Sequence, residues 1–439
     1  MNSQIVTKSR LDKLRDTRYA LREEYYKDAL PIIGKTALAE LRELYDLYDE
    51  RLLIWYANLW DPETGGFYYS NSARDTELFL PDVESTMQVL YLFDRTGLAK
   101  DKGDRYVNVL PKKMKNSVIR FVQSLQCEDG YFYHPQWGKN INFQRRGRDL
   151  GWSRQLLHAY GIKPKYLLPI EKTDAGDKSP YLPSHLQSID AFREYLSEQD
   201  LSRKSYSVGN IIDSQVSQIK AAGQEYVDLL LSWLAEHQRP NTGLWQDELN
   251  YYSVNGLYKI SMSHPGLGAY VPHADKCIES AMKAVLLDDE LTYIFEGVCP
   301  WTTIRGLFRG MHQNLGIRKT RESRAMLLEH APELIKKSRE KLLSFRREDG
   351  TFSYFVNESA DYSQGVPVAV PHSAEGDVNA TGAALKSVPM GICAGLGIPT
   401  IPIFSPADAQ LFFELIENAG PIVKKYKNPY GDELPAPLH

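Results

Sequence analysis

The residues best suited to chemistry gather in four short polar strings. These are Pro81-Asp82-Val83-Glu84-Ser85-Thr86, Arg148-Asp149-Leu150-Gly151-Trp152, Val254-Asn255-Gly256-Leu257-Tyr258-Lys259 and Glu375-Gly376-Asp377-Val378-Asn379-Ala380-Thr381. Each reads as a helix start, where Asp or Asn is an ordinary cap. Glu84, Lys259, Glu375 and Asn379 exceed what a cap requires, so the strings are expected to converge on one mouth. Two chemistries fit them. Hydrolysis of a glycosidic bond needs an acid and a base or nucleophile on either side of it, and Glu84, Asp149, Glu248, Glu375 and Asp377 are candidates. Elimination next to a uronate needs its carboxylate neutralised by Arg or Asn, a His, Tyr or Lys base, and a Tyr acid. Arg146, Arg148, Asn255, Asn379, His134, Tyr252, Tyr258 and Lys259 supply that set. The residues leave both chemistries open.

Neighbouring loops carry aromatics and cations suited to a sugar, in His134-Pro135-Gln136-Trp137, Gln144-Arg145-Arg146-Gly147-Arg148 and Trp245 to Tyr252. Flat rings stack on pyranose faces, and guanidinium groups grip carboxylates with paired hydrogen bonds. The expected binding set is His134, Trp137, Arg146, Arg148, Trp152, Asn255, Trp301 and Asn379. No two histidines are spaced as a metal pair, HEXXH is absent, and neither metal nor cofactor is expected. Cys127, Cys277, Cys299 and Cys393 lie far apart without a CxxC pair and read as plain thiols.

Helices must position these groups, because alternating β patterns are scarce. Leu38, Leu41, Tyr45, Tyr48, Leu52, Trp55 and Leu59 share one helical face, as do Leu334, Ile335, Ser338, Leu342 and Phe345 behind Pro332. Several such helices end in one kind of loop, closed by Gly65-Gly66-Phe67, Gly130-Tyr131-Phe132, Gly243-Leu244-Trp245 and Gly350-Thr351-Phe352. Gly can turn the chain at positive φ, and the aromatic can pack back on the helices. Gly65 and Gly350 are 285 residues apart, five steps of 57, which implies two degenerate copies near residues 187 and 297. A unit of this length is one helical hairpin plus loops. The expected fold is all-α, an (α/α)6 barrel or toroid of about six hairpins, over residues 36–419. A helical extension, 1–35, precedes it and a tail, 420–439, follows.

The segment Phe121 to Phe132, FVQSLQCEDGYF, resembles the aromatic, Gln and Gly-aromatic repeat of triterpene cyclases and their toroid relatives. The resemblance implies the toroid class, which also includes (α/α)6 barrels that cut sugars. A terpenoid cyclase or prenyl-group enzyme is one alternative it raises, against which the chain has no DxDD string, and Asp288-Asp289-Glu290 is not a DDxxD motif. A noncatalytic binding toroid is another.

Composition narrows the partners. Lys and Arg number 52 against 56 Asp and Glu, a net charge of -4, so neither nucleic acid nor an anionic membrane is an expected partner. The longest apolar stretch, Val388 to Phe404, is broken by Gly and Pro, and the basic residues before Tyr26 flank no apolar signal core. A cytoplasmic enzyme acting on a small, acidic oligosaccharide is the expectation. Lys163 to Ser184 and Val356 to Ala374 read as long loops able to cover a site.

Overall fold

A computed structural model describes residues 5–172, 182–428, 430–431 and 435–438. The chain is mostly helical, and among the described residues the only strands are β1 (Tyr362–Ser363) and β2 (Val366–Pro367), paired antiparallel. Among the described residues no helix is long and apolar enough to cross a membrane.

Six helices carry the polar strings or their counterparts: α4 (Val83–Leu90), α6 (Phe143–Ala159), α8 (Leu201–Ala222), α10 (Tyr251–Gly266), α12 (Phe295–Glu329) and α14 (Val378–Leu396). Each packs on the next, and α14 packs on α4. Between them in sequence run α5 (Lys112–Ser124), α7 (Ile189–Ser197), α9 (Gln224–His237), α11 (Ala274–Leu286) and α13 (Ala331–Leu343). Before α4 come α1 (Lys8–Tyr45), α2 (Glu50–Asn58) and the short α3 (Asn71–Asp75), and the last helix is α15 (Pro406–Glu417). The last helix packs on α2, and α1 packs on α13.

The apolar stripe from Leu38 to Leu59 is buried throughout but belongs to two helices. Asp49 caps α2 by accepting from Arg51 N, so the chain breaks between Tyr45 and Glu50. Within α1 the backbone kinks at Gly34, at φ 76°. Caps also correct two expected helix starts. Asn142 accepts from Arg145 N at 2.8 Å and Asn250 from Ser253 N at 2.9 Å, so α6 and α10 begin before Arg148 and Val254. Asp82 and Asp377 cap α4 and α14 through Ser85 N and Ala380 N.

The four glycine-aromatic loops share one construction. The amides of Asp61, Cys127, Arg239 and Arg347 donate to the carbonyls of Gly66, Tyr131, Leu244 and Thr351, at 2.9, 2.9, 2.8 and 2.7 Å. Gly65, Gly130, Gly243 and Gly350 all lie at positive φ, between 71° and 88°. Phe67, Phe132, Trp245 and Phe352 follow and are at most 1% exposed, each contributing about 1.5–3 kcal/mol by burial. The two further copies are not where a step of 57 puts them. Gly297 is inside α12, and Ser184–Leu186 forms a 3-10 turn before α7. The remaining junctions, 198–200 and 287–294, carry no turn of this kind. The interval varies because the connected helices differ in length, from the 8 residues of α4 to the 35 of α12.

The chain end lies against the loops. Lys425 N and Tyr426 N donate to Asp75 O, Glu77 N donates to Tyr426 O, and Leu438 N donates to Gly365 O. Of the two long loops, residues 173–181 of the first fall outside the described residues, and the second contains the β1–β2 hairpin.

Candidate active site

The deepest polar feature is a buried ion-pair network where α4 meets α6. The Arg145 guanidinium, 1% exposed, reaches Asp82 Oδ1 at 2.9 Å, Asp149 Oδ1 at 2.8 Å and Glu84 Oε2 at 3.4 Å. Its Nη1 also donates to Ser363 O at 3.2 Å, tying the network to β1. Arg148, one turn later on α6, reaches the other oxygen of Glu84 at 3.1 Å. Three carboxyl groups thus share two guanidiniums. Burial outweighs the attraction of Arg145 at Asp149 and pushes its carboxyl up to about 7. Asp149 therefore braces Arg145 from beneath and does not open into a mouth.

Past this network the six helices turn a second, partly accessible set of groups toward one another. Arg148, Asp213 of α8, Cys299 of α12 and Glu84 all act electrostatically on Lys259, which stands on α10 next to Tyr258. Burial, and then the positive charge of Arg148, lower the Lys259 amine from its usual range. Its Nζ lies 5.2 Å from the Tyr258 ring centroid. Burial raises Tyr258 far above the ordinary phenol range and carries Tyr206 up to about 12. The Tyr206 ring meets that of Tyr252 at 6.1 Å. Asn255 donates to the Tyr293 hydroxyl at 2.7 Å, while its buried Oδ1 has no partner among the described residues. Tyr293 stacks on Tyr354 at 5.8 Å. Gln88 bridges the first set to α14, lying 3.4 Å from Glu84 and 3.3 Å from Asn379. These groups sit deep in the fold, yet Arg148, Tyr206, Asp213, Tyr258, Lys259 and Asn379 keep some accessible surface.

The expected residues therefore divide. Glu84, Arg148, Asn255, Tyr258, Lys259, Asn379 and Tyr252 gather at this region. Trp152 packs instead beside Tyr91, with the two rings 5.4 Å apart. Asp377, fully buried, accepts from Ala380 N at 2.8 Å and Ala360 N at 3.4 Å, and burial pushes its carboxyl up to about 7. Glu375 accepts from Ser72 N at 2.9 Å. Both carboxylates hold loops.

Four expectations are corrected more sharply. Trp301 is 0% exposed and donates through Nε1 to Ser338 at 2.7 Å, so it is core facing α13 and cannot touch a substrate. Trp137 donates to Pro367 O at 3.1 Å and packs in a small cluster with Tyr133, Ile141 and Val366. Arg146 leaves the network and lies 5.0 Å from the Tyr131 ring centroid. His134 is 3% exposed and accepts from Gln136 N at 3.2 Å, and burial with the nearby Arg145 charge holds its imidazole neutral.

Sequence reasoning missed Arg145, Tyr206, Asp213, Tyr293 and Tyr354. Arg145 lay inside the marked Arg loop, and its spacing of four from Asp149 was a usable signal. The start of α8 follows no glycine-aromatic loop, so nothing flagged Tyr206 and Asp213, which share a face seven residues apart. Among the described residues no group of three or more His, Cys, Asp and Glu is arranged to hold a metal. Compared with protein-family models, curated proteins and solved structures, the chain shows no significant match to any.

Proposed function

We propose that the helices form an (α/α)6 ring and that its interior cleaves a short, uronate-containing oligosaccharide by elimination, in the cytoplasm. The cycle of contacts from α4 through α14 and back supports the ring. So does Gly350, whose loop abuts Asp49 and Arg51 beside α2 and brings the last hairpin against the first.

The observation that carries the reaction is the convergence of a desolvated amine and two desolvated phenols beside Arg148. In this reading Arg148 takes the uronate carboxylate and makes the adjacent C5–H more acidic, while Asn255 holds Tyr293. Lys259, whose amine burial and Arg148 make easier to deprotonate, removes the C5 proton in its neutral form. The electron pair left behind forms the C4–C5 double bond, the C4–O bond breaks, and the departing oxygen takes a proton from Tyr258 or Tyr206. Phenols held above their usual range stay protonated at neutral pH and so have a proton to give. Glu84 orients Arg148 through the 3.1 Å contact. The buried, loop-holding positions of Asp377 and Glu375 favour elimination over a two-carboxylate hydrolysis.

Incubating the protein with uronate oligosaccharides tests this directly. Ultraviolet absorbance of an unsaturated uronate is the expected result. Release of reducing ends without that chromophore would assign hydrolysis, and no release at all would remove the carbohydrate reading.

A further inference from the structure

One side chain at the start of α6 ties three segments together. Asn142 Oδ1 caps the helix by accepting from Arg145 N at 2.8 Å, and its Nδ2 donates to Gln364 O at 3.2 Å and to Leu438 O at 3.0 Å. Gln364 and Gly365 form the turn between β1 and β2, at φ 52° and 79°, the positive pair that a two-residue turn of type I′ requires. Leu438 N donates to Gly365 O at 2.6 Å, and the Tyr362 hydroxyl donates to Ala436 O at 3.2 Å. The turn is wedged between Asn142 and Leu438. A Cβ at Gly365 would come within 2.3 Å of Asn142 Nδ2 and 3.0 Å of Leu438 O.

From this turn, contacts lead on to the site. Ser363 O, at the end of β1, accepts from Arg145 Nη1 at 3.2 Å. Arg145 reaches Glu84 Oε2 at 3.4 Å, and the other oxygen of Glu84 holds Arg148 at 3.1 Å. The inner members of this path, Arg145 and Glu84, are buried, whereas of residues 436–438 only Pro437 is. Leu438 is 58% exposed. A segment held mainly by exposed hydrogen bonds opens at a lower free energy than the core. The preceding stretch is anchored apart from it, with Lys425 Nζ 2.7 Å from Asp75 Oδ2 and Lys424 Nζ donating to the Tyr68 hydroxyl at 3.0 Å. Release of 436–438 therefore leaves those anchors in place.

We propose that Asn142 is a positioning residue and that 436–438 is a latch. Docked on Asn142 and the β1–β2 turn, the latch holds Ser363 O against Arg145 and so keeps Arg148 set for the uronate carboxylate. Undocking loosens the hairpin and weakens the grip on the substrate, without touching the groups that move protons. By reciprocity a bound uronate favours the docked latch. The ligand named here rests on the elimination reading, whereas the latch rests on the contacts themselves.

Hydrogen exchange read by mass spectrometry, with calorimetric binding of a uronate trisaccharide, tests this on the full chain. Leu438→Pro deletes the N–H that meets Gly365 O and alters nothing in α6. Asn142→Ser keeps a capping oxygen and removes both donors. In each variant the amides of residues 361–369 are expected to exchange about five-fold faster, the worth of one lost hydrogen bond. Binding is expected to weaken by about three- to five-fold. The kcat of Leu438→Pro at saturating substrate and its Tm are expected to stay near wild type. Unchanged exchange at 361–369 in both variants would show that the hairpin stands without the latch. Faster exchange with undiminished affinity would show that Arg148 does not feel it, and either result overturns the proposal. Exchange and binding need no turnover, so absence of an unsaturated product removes elimination and leaves the latch standing. Should wild type bind no uronate, exchange at the start of α4, residues 82–90, decides whether the latch reaches Glu84. Faster exchange there in Leu438→Pro supports the path, and unchanged exchange refutes it.

Discussion

Arg145 Nη2 and Asp82 Oδ1 lie 2.9 Å apart across 63 residues of chain, and Asp82 is at the same time the cap of α4. One carboxylate thereby fixes a helix start and anchors the α6 guanidinium that also touches Glu84 and Asp149. The position of Glu84, and through it of Arg148, follows from this contact.

Removing one side of so buried a network leaves the rest uncompensated. Arg145→Gln is expected to lower unfolding stability by about 3–5 kcal/mol. Arg148, whose side chain is 27% exposed, makes a single ion pair, so Arg148→Gln is expected to cost about 1 kcal/mol or less. Urea denaturation of the two variants measures the contrast. Equal losses would show that the Arg145 network is not the brace described.

Asp377 makes stability depend on pH. Its folded carboxyl titrates at about 7, whereas an Asp in an unfolded chain titrates at about 3.9. Between these values the folded protein keeps a proton that the unfolded chain has released, so stability falls as pH rises from about 4 to about 7. Asp149 acts in the same direction. Asp377→Asn keeps the acceptor for Ala380 N and removes the titration. The urea midpoint of that variant should change less than wild type between about pH 5 and about pH 8. An unchanged slope would mean that Asp377 is already ionised at the lower pH.

The glycine-aromatic loops were legible because their signal is local: a turn glycine, a fixed hydrogen bond and a buried ring within a few residues. Helical class followed from the periodicity of the apolar stripes, although the break between α1 and α2 was hidden because buried residues continue across it. The two loop-free junctions could not be read, since α8 and α12 begin without that punctuation. The site was legible in part for the same reason. Glu84 and Lys259 stood out as charges beyond a cap, whereas Arg145 resembled its solvated neighbour Arg146. Their difference is one of helical phase, fixed only by where Asn142 starts α6.

The equivalent loops differ in how tightly they are pressed, which makes a graded test. A Cβ at Gly65 would come within 2.6 Å of Ser117 O, while at Gly350 the nearest atom is Arg51 Cβ at 3.2 Å, part of a flexible side chain. Both positions share φ 85°, so the backbone strain is common, on the order of 1 kcal/mol or more. Gly65→Ala should therefore lower Tm further than Gly350→Ala. Equal losses would place the strain of these loops in the backbone alone, and the reverse order would refute the steric ranking.

The final prediction concerns Lys259 and Arg148 together. If Lys259 is the base, product formation requires its neutral form and rises with pH through a pKa below the usual lysine range. Lys259→Gln should abolish formation of unsaturated product with Tm close to wild type, because Gln spares the cost of burying a charge at that place. Arg148→Gln should do two separable things. Loss of a charge-assisted contact of about 1.5–3 kcal/mol weakens an acidic substrate about ten- to a hundred-fold. Loss of a neighbouring positive charge also lets the Lys259 amine hold its proton more tightly, so the rise in kcat moves to higher pH. A structural role for Arg148 would weaken binding without moving the profile. A pH–rate curve that stays in place, measured at saturating substrate, would remove Lys259 as the base or Arg148 as the group that tunes it.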